Sequence, residues 1–482
     1  MSAHIIHTKR NGELATTTTQ DIDRIVDALR DESRIVIHFH GGMVADDTGM
    51  KVAARLDPTY RAAGATPIFF VWSSGLMEVV TGNLPEIFGE GVFQSIRRWV
   101  TKFVLGKVSG THGFAPPSDG DLWLGLVPPA PDAEPLAEVE VVGAIDDVTE
   151  AEREAFEQQV AADPELQAFS AMIAGSGTSF AGDEGSPFTL MSPEVVGEIR
   201  ADAPEGAAFG PFQAVALARH AGKIVVAVVR RMREHRDHGL HATLVEEILR
   251  SLYLGEAGER VWTAMKKETA DTFEATDPVR GGRYFMDGLS ELVRDGHRPE
   301  ITLVGHSTGA VFIDNFLSRM DRLRSDESDP FPSDFRVRNV IFLAPACRFE
   351  HFDNVLRTRE ATFDRFRMFT MTDEFEAKDT LVPFVYPRSL LYFVSGLLET
   401  DDAGESAYDA PLVGMQRFFS MADTYDGPEF KFVRDFISSD ESRVVWSVED
   451  RGDGFASAAA SHATFDEDPE VLRSIKHLIG QP

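Results

Sequence analysis

Short apolar runs, rich in β-branched and aromatic residues and without clean polar–apolar alternation, recur near both ends of the chain. They occupy residues 34–40, 65–72, 300–304, 337–344, 365–371 and 443–448. Runs of this kind predict strands buried on both faces, the environment of a parallel sheet. Most are followed by helical periodicity, as in residues 49–63, 310–323 and 469–479. Strand and helix in alternation predict an α/β fold, one mostly parallel sheet with helices on both faces.

The alternation breaks between residues 74 and 299. We read this stretch as a large, mainly helical cap inserted into the sheet: residues 1–75 and 299–482 form the core, residues 76–298 the cap. Within it, Ile96, Trp99, Val100 and Phe103 share one side of a helical repeat, with Arg97, Arg98 and Lys102 on the other. The stripe from Ile96 to Leu105 suits either a mobile lid or a fixed cap. Residues 111–210 are rich in Pro, Gly, Ala and acids and predict loops around one helix, residues 149–162. Further helices are expected over residues 214–229 and 242–254, and a proline-started helix over residues 386–394.

Chemistry concentrates where strand gives way to helix. Gly305-His306-Ser307-Thr308-Gly309 follows an apolar strand and precedes a helix. A serine hydroxyl is a weak nucleophile until a base removes its proton, so it must stand on a sharp turn open to base and substrate together. Gly305 and Gly309 leave room for such a turn. Gly175-Ser176-Gly177 has no strand before it and is set aside. The strand ending in His40-Gly41-Gly42 predicts a second element, a loop whose amide meets a developing oxyanion. Two such donors, Thr308 and either Gly42 or Met43, would contribute ~3 kcal/mol each. His40 is read as shaping that loop. Candidate bases must follow the nucleophile, and His462 lies between the last strand and the closing helix, whereas His477 falls inside that helix. Asp379, in Asp-x-x-Val-Pro, is preferred as the orienting acid over Asp373, with Glu376 third. The chosen carboxylate should accept from the far ring nitrogen of His462.

Together these segments resemble the α/β-hydrolase superfamily and, within it, large lipase- or esterase-like bacterial serine hydrolases, over residues 30–75 and 299–480. The resemblance implies a triad of Ser307, Asp379 and His462 with oxyanion donors at Gly42 and Thr308, acting on esters without a cofactor. The chain departs from the minimal pattern in its long insertion and in extra residues before Asp379. Phe88, Phe93, Trp99, Phe103 and Trp123 hint at a hydrophobic acyl group, so the expected substrate is a small-molecule or lipid-like acyl ester. Thioesterase, amidase and acyltransferase chemistry use the same residues, and a non-catalytic scaffold is the alternative of another class.

Composition narrows the picture. The chain has 78 acidic against 47 basic side chains, a formal charge of -31, which repels phosphate backbones and excludes nucleic acid as an expected partner. Cys347 is the single cysteine, residues 1–14 lack a signal-peptide apolar run, and no stretch reaches the ~20 apolar residues of a membrane span. Cytoplasmic residence is therefore expected. His235, His238 and His241 lack the i, i+4 spacing of a helical metal site and are read as exposed polar residues, so no metal is expected. Neither His112-Gly113 nor His238-Gly239 follows a convincing strand, and no phosphate-binding glycine motif occurs in a strand-to-helix context.

Overall fold

Each of the six apolar runs becomes a strand of one sheet in the computed structural model. It describes residues 4–42, 46–72, 81–108, 145–175, 190–202, 214–273, 279–325, 331–359, 362–399, 408–421 and 423–481. The strands are β2 (Arg34–Phe39), β3 (Thr66–Trp72), β4 (Glu300–His306), β5 (Val337–Leu343), β6 (Phe363–Met371) and β7 (Val444–Ser447). A seventh, β1 (His4–Thr8), was not expected. It forms the edge next to β3, half-buried at His4 and Ile5 and buried from Ile6 to Thr8. The order is β1-β3-β2-β4-β5-β6-β7, with every neighbouring pair parallel.

The missing alternation has a direct cause. Val36, Phe69, Ile341 and Phe369 enter an apolar cluster with the helices Asp46–Ala62 and Pro469–Gly480. Their neighbours Ile35, Ile37, Phe70 and Phe342 enter the cluster on the opposite face. There the helices Thr19–Ala28, Gly281–Arg294 and Gly309–Ser325 pack. Both sides of each strand are therefore core, and both select apolar residues. The helix Gly281–Arg294 falls inside the range read as cap, yet it packs on β1 and on Thr19–Ala28 as part of the core layer.

The inserted region forms helices at Leu84–Gly89, Gly91–Val108, Glu150–Ala161, Pro164–Gly175, Pro193–Ala201, Val215–Arg233, Leu240–Ile248 and Gly255–Asp271. Thr149 starts the Glu150–Ala161 helix with a capping box through Glu152, which the local sequence predicts. Gly91–Val108 differs from its expected two-sided pattern. Arg97 is only 2% exposed, and its guanidinium lies 5.0 Å from the centre of the Phe88 ring. Burial, then the charge of Arg98, pulls its pKa down to about 10. The helices Val215–Arg233 and Leu240–Ile248 pack on this helix, and Arg97 is interior where water was expected. The segment at residues 386–394 is also displaced: its helix begins at Leu390, capped by Ser389, and no helix starts at Pro387. Met43, His112, Gly113, Trp123, Ser176 and Gly177 lie outside the described residues. Among the described residues no helix is long and apolar enough to cross a membrane.

Candidate active site

The chain leaves β1 and β3 on one side of β2 and crosses to β4 on the other, so the strand order reverses between β2 and β4. Open parallel sheets hold ligands at the carboxyl ends of the strands beside such a reversal. Phe39 pairs with Gly305 there, so His40-Gly41-Gly42 and His306-Ser307-Thr308 emerge side by side.

Ser307 adopts φ 54°, a left-handed conformation unusual for a residue with a side chain. Its surroundings enforce it. The Ser307 amide donates to the Leu343 carbonyl at 2.8 Å, and its own carbonyl accepts from Ala346 at 3.2 Å and Ala310 at 3.1 Å. The flanking glycines are sterically required: a Cβ on Gly309 would lie 2.2 Å from the Phe39 carbonyl oxygen, and one on Gly305 would lie 2.5 Å from that of Gly309. The helix Gly309–Ser325 then begins directly behind the serine.

The neighbouring loop packs on this turn. A Cβ on Gly41 would sit 3.3 Å from Ser307 Cβ, and one on Gly42 would sit 2.6 Å from Thr308 Oγ1. No described group accepts a hydrogen bond from the amides of Gly42 or Thr308; Gly42 lines the cavity beside Ser307, and Thr308 lies buried behind it. His40 shapes the loop as its position suggested. Trp72 N–H donates to His40 Nε2 at 3.1 Å, so the ring proton is on Nδ1, which donates to the Gly41 carbonyl at 2.8 Å. Trp72 Nε1–H also donates to the His40 carbonyl at 3.3 Å, and the two rings stack with centres 5.7 Å apart.

His462 opens a short 3-10 turn, His462–Thr464, and is buried. Burial, then the nearby His306, holds its pKa well below the ordinary imidazole range, so the ring is a neutral base at neutral pH. Both ring nitrogens lack a hydrogen-bond partner. Asp379 is beside it, yet not in the expected arrangement: Oδ2 accepts from the His462 backbone amide at 2.9 Å, and Oδ1 from the Thr380 amide at 3.0 Å. The first amide of a helical turn has no partner within the turn, and this carboxylate satisfies it. The residues intervening between β6 and Asp379 form a short helix, Asp373–Lys378, which ends at Asp379.

The other acids are placed elsewhere. Asp373 accepts from Tyr392 Oη at 2.8 Å, and its backbone amide donates to Gln416. Glu376 is fully buried, and desolvation pushes its carboxyl well above the usual range. Neither borders the cavity that Ser307, His462 and Asp379 share, which encloses about 560 Å³.

Thr48, Val52, Arg55 and Leu381 are wall residues that carried no functional reading in the sequence. Thr48, Val52 and Arg55 reach the cavity from one face of Asp46–Ala62, a spacing readable as a helical stripe once the partner surface is known. Arg55 pairs with Asp466 at 3.2 Å and with Glu467. Leu381 and Leu390 contribute apolar wall. Among the described residues the insertion aromatics do not: Phe88 packs on Phe93 at 5.3 Å, and Trp99 and Phe103 pack on Phe156 at 6.4 and 5.2 Å.

Of the set-aside histidines, His235 is exposed as expected, whereas His238 is not. His238 is fully buried, its Nδ1 2.8 Å from Glu246 and its Nε2 2.9 Å from Asp409. Arg231 and Tyr386 contact the same Glu246, while Arg417 and Tyr425 contact Asp409. Carboxylates brought in by other elements turned an apparently polar surface residue into an interior ion partner. Among the described residues no cluster suited to a metal ion is found. Comparisons with protein-family models, curated proteins and solved structures found no match to this chain.

Proposed function

We propose that the chain is a serine hydrolase of the α/β-hydrolase type that cleaves a carboxylic ester through an acyl-serine intermediate. The observation that carries this reading is the convergence, around one cavity, of a serine held at positive φ, a neutral histidine and a carboxylate from three separate loops. Backbone strain and a buried neutral base are features that active sites maintain against stability. The two unoccupied amides of Gly42 and Thr308 complete the set.

In the proposed reaction His462 takes the Ser307 hydroxyl proton as Oγ attacks the ester carbonyl carbon. The carbonyl electron pair moves to oxygen, which the Gly42 and Thr308 amides stabilise. Collapse expels the alkoxide, which recovers the proton from His462 and leaves as an alcohol. Water, deprotonated by His462, then attacks the acyl carbon, and Oγ departs with that proton. Asp379 holds the base by its peptide amide. The Leu381 and Leu390 wall suits the apolar part of an acyl group.

Labelling with a fluorophosphonate probe tests the reading. An adduct on Ser307 is expected in wild type and none in Ser307→Ala, with p-nitrophenyl esters of rising chain length turned over only by wild type. Unlabelled wild type, or equal turnover by Ser307→Ala, would remove the serine mechanism.

A further inference from the structure

His306 ends β4 directly before Ser307, and its side chain is 10% exposed. Its Nε2 lies 3.0 Å from the carbonyl oxygen of His462. A carbonyl can only accept, so Nε2 carries a proton and donates it. The other nitrogen, Nδ1, faces Asp466 at 3.9 Å, and the two histidine rings lie 5.3 Å apart at 30°. The amide of His462 is held by Asp379. The backbone of His462 is thus gripped on both polar groups by side chains, one from the serine turn and one from the acid loop.

We propose that His306 is a positioning residue whose Nε2–H ties the backbone of His462 to the turn that carries Ser307. The inference rests on the hydrolase reading of this site and assigns to the residue before the nucleophile a role beyond filling space. The base sits on a loop 15 residues past the end of β7, counting from Ser447 to His462, where the sheet itself no longer fixes its place. His306 shares its peptide with Ser307, so a bond from His306 to His462 converts two independently placed turns into one unit. Displacing a reacting group by about 1 Å costs on the order of 100-fold in rate. His306 also lines the cavity, and a tie at this point bears on kcat more than on KM.

The test compares His306→Leu, which fills space without a donor, with His306→Gln, whose amide reaches the Nε2 position, and His306→Asn, whose amide is too short. His306→Leu and His306→Asn should lose on the order of 10- to 100-fold in kcat on a p-nitrophenyl ester with KM within about twofold, and His306→Gln should recover most of the loss. Hydrogen–deuterium exchange over residues 458–466 should rise in the Leu and Asn variants and stay near wild type in Gln. Equal kcat in folded His306→Leu, no recovery by Gln, or unchanged exchange would overturn the tie. The exchange readout needs no turnover, so an inactive, unlabelled wild type defeats the hydrolase reading while the tie is still decided. Should His306→Leu fail to fold, the Gln-to-Asn difference decides alone.

Discussion

His462 sets the expected pH dependence at the scale of single residues. Burial and the neighbouring His306 disfavour its charged form, so its folded pKa is depressed. The neutral base therefore persists as the pH falls through the ordinary imidazole value of ~6.5. The acid limb of kcat/KM should lie below that value, and a limb at or above it in a pH–rate series would contradict the burial argument. Stability follows the same sign: the contribution of neutral His462 is present above ~6.5 and is lost as the pH falls toward the folded pKa. The carboxylates separate in turnover. Asp379→Ala, which removes the acceptor of the His462 amide, should cut kcat by roughly 10- to 100-fold through displacement of that residue, whereas Asp373→Asn should cost about 1 kcal/mol of stability through its Tyr392 bond and leave kcat within about threefold. A larger kinetic loss for Asp373→Asn would reverse the assignment. Gly309→Ala should be the most damaging small change, because its methyl meets the Phe39 carbonyl at 2.2 Å. A loss of about 3 kcal/mol or more in urea unfolding is expected, since backbone on both sides resists movement.

Elements were legible to the extent that their pattern is local. The strands β2 to β7 stood out as apolar runs, and the turn at Ser307 because glycine spacing and strand–helix context coincide. β1 was hidden: an edge strand of five residues with two histidines carries little pattern. The helix Gly91–Val108 was found, but which of its sides is wet was misjudged at Arg97. Periodicity reports a stripe, and a cationic residue with a long apolar stem can join it when an aromatic ring receives its head. Arg97→Ala should therefore cost about 2–4 kcal/mol in thermal or chemical unfolding, far more than a surface arginine would. A change under about 0.5 kcal/mol would show that the buried guanidinium and stem contribute nothing.

At the scale of the whole molecule, the interior ion cluster joins the inserted helices to the segments after β6. His238 and Glu246 come from one, Tyr386, Asp409 and Arg417 from the other. Burial alone would raise the Glu246 pKa, but His238 and Arg231 outweigh it and hold the carboxyl down to about 2. A depressed carboxylate stabilises the fold above its unfolded pKa and loses that effect as the pH drops, here between ~4.5 and 2. Glu246→Gln should lower Tm and flatten the acid side of the Tm–pH curve, because removing one member strands the others in the interior at a cost of about 3–5 kcal/mol. An unchanged curve would show that the cluster does not link the parts.

The sequence alone determined the α/β class, the strand-borne serine, the glycine loop and the place of His462 after the last strand, since each is written in spacing between near neighbours. Tertiary structure decided which carboxylate meets His462 and that it does so through the peptide. It also decided that His306 reaches the same residue and that Arg97 and His238 are interior. Those outcomes depend on which distant segments share a surface, and burial and pairing across such surfaces leave no period in the chain.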